Sequence, residues 1–173
     1  LLVRERRLRW PIPESVDQAV AGQRVRNVGR RAKYLIIELE TGALILHLGM
    51  SGSLRVLDAD TPPAPHDHLD LILDDGRCLR LRDPRRFGSL HWTTDPVEEH
   101  PLLRHLGPEP LSDDFDADAL FQASRGRQSA IKTFIMDSKV VVGVGNIYAS
   151  ESLFLAKIHP KRTAGRVGEI RYR

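Results

Sequence analysis

The chain has 173 residues, 41% of them hydrophobic, and a formal net charge of +3. That is enough to bury a core in one ordinary domain or two small ones. No apolar run approaches the roughly 18 residues of a membrane span, the opening Leu1-Leu2-Val3-Arg4-Glu5 does not read as a signal peptide, and the single cysteine, Cys78, permits no internal disulfide and no Cys-rich zinc site, which fits a reducing cytoplasm.

Tyr34 to Glu40 and Ala43 to Leu48 are apolar runs flanking Thr41-Gly42, the pattern of a hairpin. Ser53 to Leu57 alternates. Leu69 to Leu73 and Cys78 to Arg82 flank a second turn signal, Asp74-Asp75-Gly76, and Gly88 to Trp92 reads as a further strand. About six short strands without intervening helices predict a sandwich or barrel. The period then changes. Helices are predicted over Asp116 to Ser124, Ile131 to Met136 and Asn146 to Lys157, and Arg166 to Arg173 looks like the opening of another. Between the halves, Thr93 to Pro110 is acidic and holds four prolines, so the linker is placed there. The boundaries are residues 1–98, a linker at 99–110, and a second domain at 111–173.

Charge is unevenly spread along this order. Residues 1–33 carry a net +6, 34–92 a net −3, 93–121 a net −7 and 122–173 a net +7. Two basic blocks around an acidic belt suit a polyanion gripped from two sides. Solvated surface charge is the competing explanation.

Five motifs bear on chemistry. Arg30-Arg31-Ala32-Lys33 sets a lysine beside arginines at a strand edge, suited to phosphate, although such an edge also guards against strand pairing. His47-Leu48-Gly49-Met50-Ser51-Gly52 puts a methionine between glycines on a loop, where an apolar side chain can wedge between bases. Asp83-Pro84-Arg85-Arg86-Phe87-Gly88 joins two strands and offers a planar donor fork and a stacking ring, with Arg86 expected to brace the loop through Asp83 and leave Arg85 free. His66-Asp67-His68 places two histidines on one side of a strand, but no third ligand follows, so phosphate contact or structural hydrogen bonding is favoured over metal. Finally, Val142-Gly143-Val144-Gly145-Asn146 enters a helix with Asn146 as the expected N-cap, downstream of a basic helix carrying Arg125, Arg127 and Lys132. A helix start of this kind suits a DNA phosphate, and the dinucleotide fingerprint is not met.

Taken in order with Leu-Gly-Pro-Glu-Pro-Leu at residues 106–111, these motifs closely resemble the bacterial formamidopyrimidine-DNA glycosylase family from about Leu8 to Arg162. The resemblance implies an α+β multidomain protein, an N-terminal β-sandwich followed by a helix–two-turns–helix domain, with double-stranded DNA between them. It implies excision of oxidised purines, 8-oxoguanine and formamidopyrimidines, and strand cleavage by β,δ-elimination. On the matching positions, Lys33 donates a proton in β-elimination, and His47, His66, Arg85, Arg127 and Asn146 contact DNA. Met50, Arg85 and Phe87 fill the gap left by the flipped nucleotide, and Arg85 reads the opposite cytosine.

The same resemblance implies an N-terminal proline nucleophile with its adjacent glutamate, and a structural zinc in a C-terminal four-cysteine finger. Neither lies within the printed residues, so zinc belongs to the family and no metal ligand is assigned here. A monomeric, cytoplasmic, nucleoid-associated protein is expected, with no membrane partner. The rival readings are an endonuclease VIII-like glycosylase for oxidised pyrimidines and a DNA-binding fragment without catalysis. The Met50, Arg85 and Phe87 set favours the purine enzyme.

Overall fold

The short apolar runs of the first hundred residues form strands that pair antiparallel throughout. The computed structural model describes residues 1–172, and the chain divides into two compact units, Leu1–His100 and Pro101–Arg173. In unit 1 the strands are β1 (Leu2–Val3), β2 (Asn27–Arg31), β3 (Tyr34–Glu38), β4 (Ala43–His47), β5 (Ser53–Asp58), β6 (Asp67–Ile72), β7 (Arg77–Arg82) and β8 (Ser89–Thr93). They make two four-stranded sheets in the orders β1-β6-β7-β5 and β2-β3-β4-β8. Leu44, Leu46, Ile37 and Leu90 from one sheet meet Leu69 and Leu81 from the other in a common core. Alternating inward residues of two facing sheets are what define a sandwich, so the predicted class holds.

Two strands and a helix were not anticipated. β1 and β2 are short or mostly polar edge strands. Helix α1 (Ser15–Val20) has only six residues, and its Val16 and Val20, four apart, seal the core. The lone thiol of Cys78 is fully buried on β7, on the face opposite Leu79 and Leu81. That face also buries Arg80, whose guanidinium donates to both carboxylate oxygens of Asp70 at 2.8 and 2.9 Å and to the carbonyls of Thr61 and Pro62. Arg4 adds a third bond to Asp70 at 2.5 Å, tying β1's end to β6. Burial works to raise the Asp70 pKa, but the hydrogen bonds from Arg80 and Arg4 outweigh it and hold it at about 2.

Unit 2 holds α2 (Ala117–Ser124), α3 (Ile131–Ile135) and α4 (Asn146–Leu155). Asp116 caps α2, accepting from the Ala119 N–H at 2.6 Å. Ile131, Phe134, Ala149, Leu153, Ala164 and Val167 form the unit's core. Gly107 N–H donates to Ser138 and Val142 N–H to Pro108, which docks the Leu-Gly-Pro segment on the loop before α4. The expected helix from Arg166 is instead two short 3-10 turns, Ala164–Arg166 and Glu169–Arg171, separated by Val167 and Gly168; Arg173 lies outside the described residues.

Candidate nucleic-acid interface

The residues singled out in unit 1, the histidines at 66 and 68 apart, lie on three connections of the sandwich. The first is the two-residue turn Ala32-Lys33 between β2 and β3. Ala32 has φ +54°, the left-handed value a tight hairpin turn demands, and Lys33 is exposed at the tip.

The second connection leaves β4 at His47. The Gly49 N–H donates to His47 Nδ1 at 2.9 Å. With Nδ1 accepting, the ring proton sits on Nε2, which is left as a donor. The ring packs on Tyr34 with centroids 4.9 Å apart. Burial, then the positive charges of Arg9 and Lys33, lower the His47 pKa, so the neutral donor form prevails at neutral pH. Arg9 was missed by the sequence reading. Its N–H donates to the Gly88 carbonyl, its guanidinium lies 4.5 Å from the Trp10 ring, and its charge is felt at both His47 and Tyr34.

The third connection, Asp83 to Gly88, lies directly against the second. Gly49 has φ +65°, and a Cβ there would stand 2.5 Å from the Phe87 carbonyl carbon. A Cβ on Gly88 would stand 2.9 Å from the His47 carbonyl oxygen and 3.1 Å from Asp83 Oδ2. Both positions therefore require glycine for backbone approach. Met50, 74% exposed, and Phe87, 43% exposed, project outward, and Arg85 sits over the Phe87 ring at 4.7 Å. The structure thus brings Met50, Arg85 and Phe87 onto two abutting loops.

Arg86 does not brace the loop through Asp83. Its guanidinium donates to Glu5 at 3.2 Å, and only its backbone N–H reaches the Asp83 carbonyl. The physical reason is burial: Asp83 is fully enclosed, and its carboxylate is filled by Ser51 Oγ at 2.6 Å and Gly88 N–H at 2.8 Å. The two histidines also differ from expectation. A bulge between Asp67 and Leu69 interrupts the strand. His68 is buried with Nε2 2.7 Å from the Asp83 carbonyl oxygen, whereas His66, φ +73°, is exposed and its carbonyl accepts from Asp83 N–H. Among the described residues no three His, Cys, Asp or Glu side chains are grouped to hold a metal, so the zinc implied by the resemblance has no donor set here.

In unit 2, Gly145 and not Asn146 is the N-cap of α4. Asn146 is the exposed first helical residue, and its carbonyl accepts from Ser150 Oγ. Arg125 and Arg127 lie on the loop between α2 and α3 and not on a helix. Arg125 is consumed internally: it stacks on Phe121 at 3.9 Å and donates to Ser124 Oγ and to the Gly165 and Val167 carbonyls. Lys132 donates to Ser150 Oγ at 2.9 Å. Arg127 is exposed; among the described residues its guanidinium makes one long contact, 3.5 Å to the Ala123 carbonyl, which leaves it available.

The chain combines a β-sandwich that presents a methionine, an arginine and a phenylalanine from abutting loops with a helical unit whose α4 begins, exposed, after a glycine. Residues 1–90 match the formamidopyrimidine-DNA glycosylase N-terminal domain and residues 106–173 match the H2TH domain of the same family; the chain belongs to the formamidopyrimidine-DNA glycosylase family. It is 59% identical over 172 residues to the formamidopyrimidine-DNA glycosylase of Stutzerimonas stutzeri, covering 99% of this chain and 63% of that protein. It is 62% identical over 167 residues to that of Thioalkalivibrio sulfidiphilus, covering 96% of this chain and 62% of that protein. The chain therefore spans a little under two thirds of these relatives' length. Among solved structures, it resembles the Lactococcus lactis formamidopyrimidine-DNA glycosylase bound to AP-site DNA, with TM-score 0.85 and 36% identity over 92% of this chain and 62% of that one. The same bacterium's protein in complex with DNA containing a formamidopyrimidine lesion superposes with TM-score 0.90 and 33% identity, covering 99% and 65%.

Proposed function

We propose that this chain is the base-handling and phosphate-binding part of a bacterial DNA glycosylase that excises oxidised purines, 8-oxoguanine and formamidopyrimidines, and cleaves the strand by β,δ-elimination. The observation that carries the reading is the joint placement of Met50, Arg85 and Phe87 on two abutting loops with their side chains exposed. An enzyme that works on a base must take it out of the stack, and something must hold the gap. A methionine wedge, a stackable ring and a planar donor fork are suited to that work, with Arg85 reading the cytosine left behind.

Around them, the exposed Lys33 amine and the neutral His47 Nε2 donor face a phosphate, joined by His66; the Lys33 amine also donates the proton of β-elimination. In unit 2, the Arg127 guanidinium and the start of α4 at Asn146 take further phosphates. A ten-residue helix presents free N–H groups and the positive end of its dipole there. The partition is a sandwich at 1–98, a linker at 99–110 and a DNA-binding unit at 111–173; a monomer acting in the cytoplasm on the nucleoid fits this role. No helix among the described residues is long and apolar enough to cross a membrane. The structural zinc of the family's C-terminal finger takes no part in this account of the described residues.

The test is incision by the full-length protein of a duplex carrying 8-oxoguanine opposite cytosine. Cleavage at the lesion and none at undamaged guanine is expected, and Lys33→Ala should slow strand cleavage more than base release. Preferred incision at oxidised pyrimidines, or binding without incision, would contradict the reading.

A further inference from the structure

We propose that Ser51 and Asp83 are positioning residues that lock the two exposed loops into one unit, so that opposite-base discrimination depends on a half-buried hydrogen bond that touches no DNA. The inference rests on the reading that Met50, Arg85 and Phe87 occupy the gap and that Arg85 reads the opposite base.

The geometry that supports it is a single enclosed carboxylate. Asp83 Oδ1 accepts from Ser51 Oγ of the Met50 loop at 2.6 Å, and Oδ2 accepts from the Gly88 N–H at the far end of its own loop at 2.8 Å. The Ser51 hydroxyl is used in both directions, because it also accepts from the Arg85 N–H at 3.3 Å. One hydroxyl therefore joins the residue after Met50 to the backbone of Arg85. Asp83 is anchored in turn, its carbonyl facing the buried His68 ring at 2.7 Å and its N–H donating to the His66 carbonyl. The close approaches at Gly49 and Gly88 set the two loop backbones against each other with no space for a Cβ at Gly49 and little at Gly88. A wedge and a reader that must enter DNA together need a fixed separation. Rotamers of exposed side chains cannot supply that separation, but hydrogen bonds closed on an enclosed carboxylate can.

The chemistry of the substitutions follows from donor and acceptor count. Ser51→Ala removes the bridge and leaves Asp83 Oδ1 without its partner, while Ser51→Thr keeps the hydroxyl. Asp83→Asn preserves shape but presents an NH2 group to one of two donors, Ser51 or Gly88.

The experiment uses the full-length protein and measures single-turnover excision of 8-oxoguanine opposite cytosine and opposite adenine, with binding to undamaged duplex as a second readout. Arg85→Ala should lower the cytosine-to-adenine ratio by about fivefold or more, the lower end for one good base-edge pair. Ser51→Ala should lower it in the same direction by about threefold or more, Ser51→Thr should restore it, and undamaged-duplex affinity should stay within about twofold. Combining Ser51→Ala with Arg85→Ala should add little beyond Arg85→Ala alone, since both act on one interaction. If Asp83→Asn fails to fold, the serine pair decides the matter alone. If Ser51→Ala lowers the melting temperature but leaves the ratio intact while Arg85→Ala reduces it, the hydroxyl is merely structural and the proposal is wrong. If Arg85→Ala itself leaves the ratio unchanged, the underlying reading of the loop fails and the proposal falls with it.

Discussion

The two units treat polar side chains in opposite ways. Of the buried polar and charged residues among those described, His68, Asp70, Arg80, Asp83, Ser89 and Thr93 all lie in unit 1, and only Ser124 lies in unit 2. Unit 1 uses enclosed carboxylates to fix loops and strand ends, Asp83 behind the Met50 and Arg85 loops and Asp70 behind Arg4 and Arg80. Unit 2 packs an apolar core and ties one surface cation, Arg125, to backbone carbonyls, while Arg127 and Asn146 are exposed. A rigidly held side chain can read shape and base edge, whereas an exposed cation or helix start senses phosphate charge whatever the sequence.

Several substitutions can break that contrast. The largest effect is expected at Asp70. Replacing it by alanine strands the buried Arg80 guanidinium, and removing one partner of a buried pair typically costs on the order of 3 kcal/mol or more. Arg127→Ala, by contrast, should leave melting unchanged, as an exposed substitution does. The same pair sets an acid limit. Asp70 is held at about 2 against an ordinary value of 3.8, so its contribution is complete above about pH 4 and is lost as the pH falls through 2. Thermal melts from pH 5 to pH 2 should show a steep loss that Asp70→Asn flattens. If wild type and variant lose stability in parallel, this network is not the acid-sensitive element.

Next in size is Arg85→Ala, whose loss of base-edge recognition is worth about 1–3 kcal/mol of discrimination. Smaller again is the effect of one phosphate contact. Arg127→Ala should weaken damaged and undamaged duplex alike and reduce the slope of log affinity against log salt by about 0.9. An effect confined to lesion DNA would remove Arg127 from the backbone-contact set. The smallest change belongs to Arg86→Ala. Its partner Glu5 is also held by Arg7, whose hydrogen bonds are the first cause of the low Glu5 pKa, about 2. Both melting temperature and opposite-base preference should barely move. A large change in preference would mean Arg86, not Arg85, reads the base.

Much of this was legible in the sequence where the local pattern decides the outcome. The hairpin at Thr41-Gly42, the turn at Asp74-Asp75-Gly76, and α2 behind its Asp116 cap follow from turn and cap chemistry that acts over a few residues. Helix α1 escaped because six residues with two inward valines are too short to show a period. β2 escaped because an edge strand carrying Asn27, Arg30 and Arg31 lacks the apolar alternation of a half-buried one. At the site, the grouping of Met50, Arg85 and Phe87 followed from the family resemblance, but the partner of Asp83 did not. A carboxylate beside two arginines suggests an ion pair, and only tertiary burial shows that Ser51, thirty-two positions away, takes the place. Arg9 likewise carries no local motif, and its proximity to His47 depends on the backbone bond to Gly88.

The proposed division, in which unit 1 reads the base opposite the lesion and unit 2 grips phosphate, can be separated by measuring Arg85→Ala and Arg127→Ala of the full-length protein side by side, each for the cytosine-to-adenine excision ratio and for the salt dependence of undamaged-duplex binding. A crossed result is expected: Arg85→Ala lowers the ratio and leaves affinity for undamaged duplex nearly unchanged, and Arg127→Ala lowers affinity and salt slope but keeps the ratio. Equal effects of both variants on both measurements, or the reverse assignment, would contradict it.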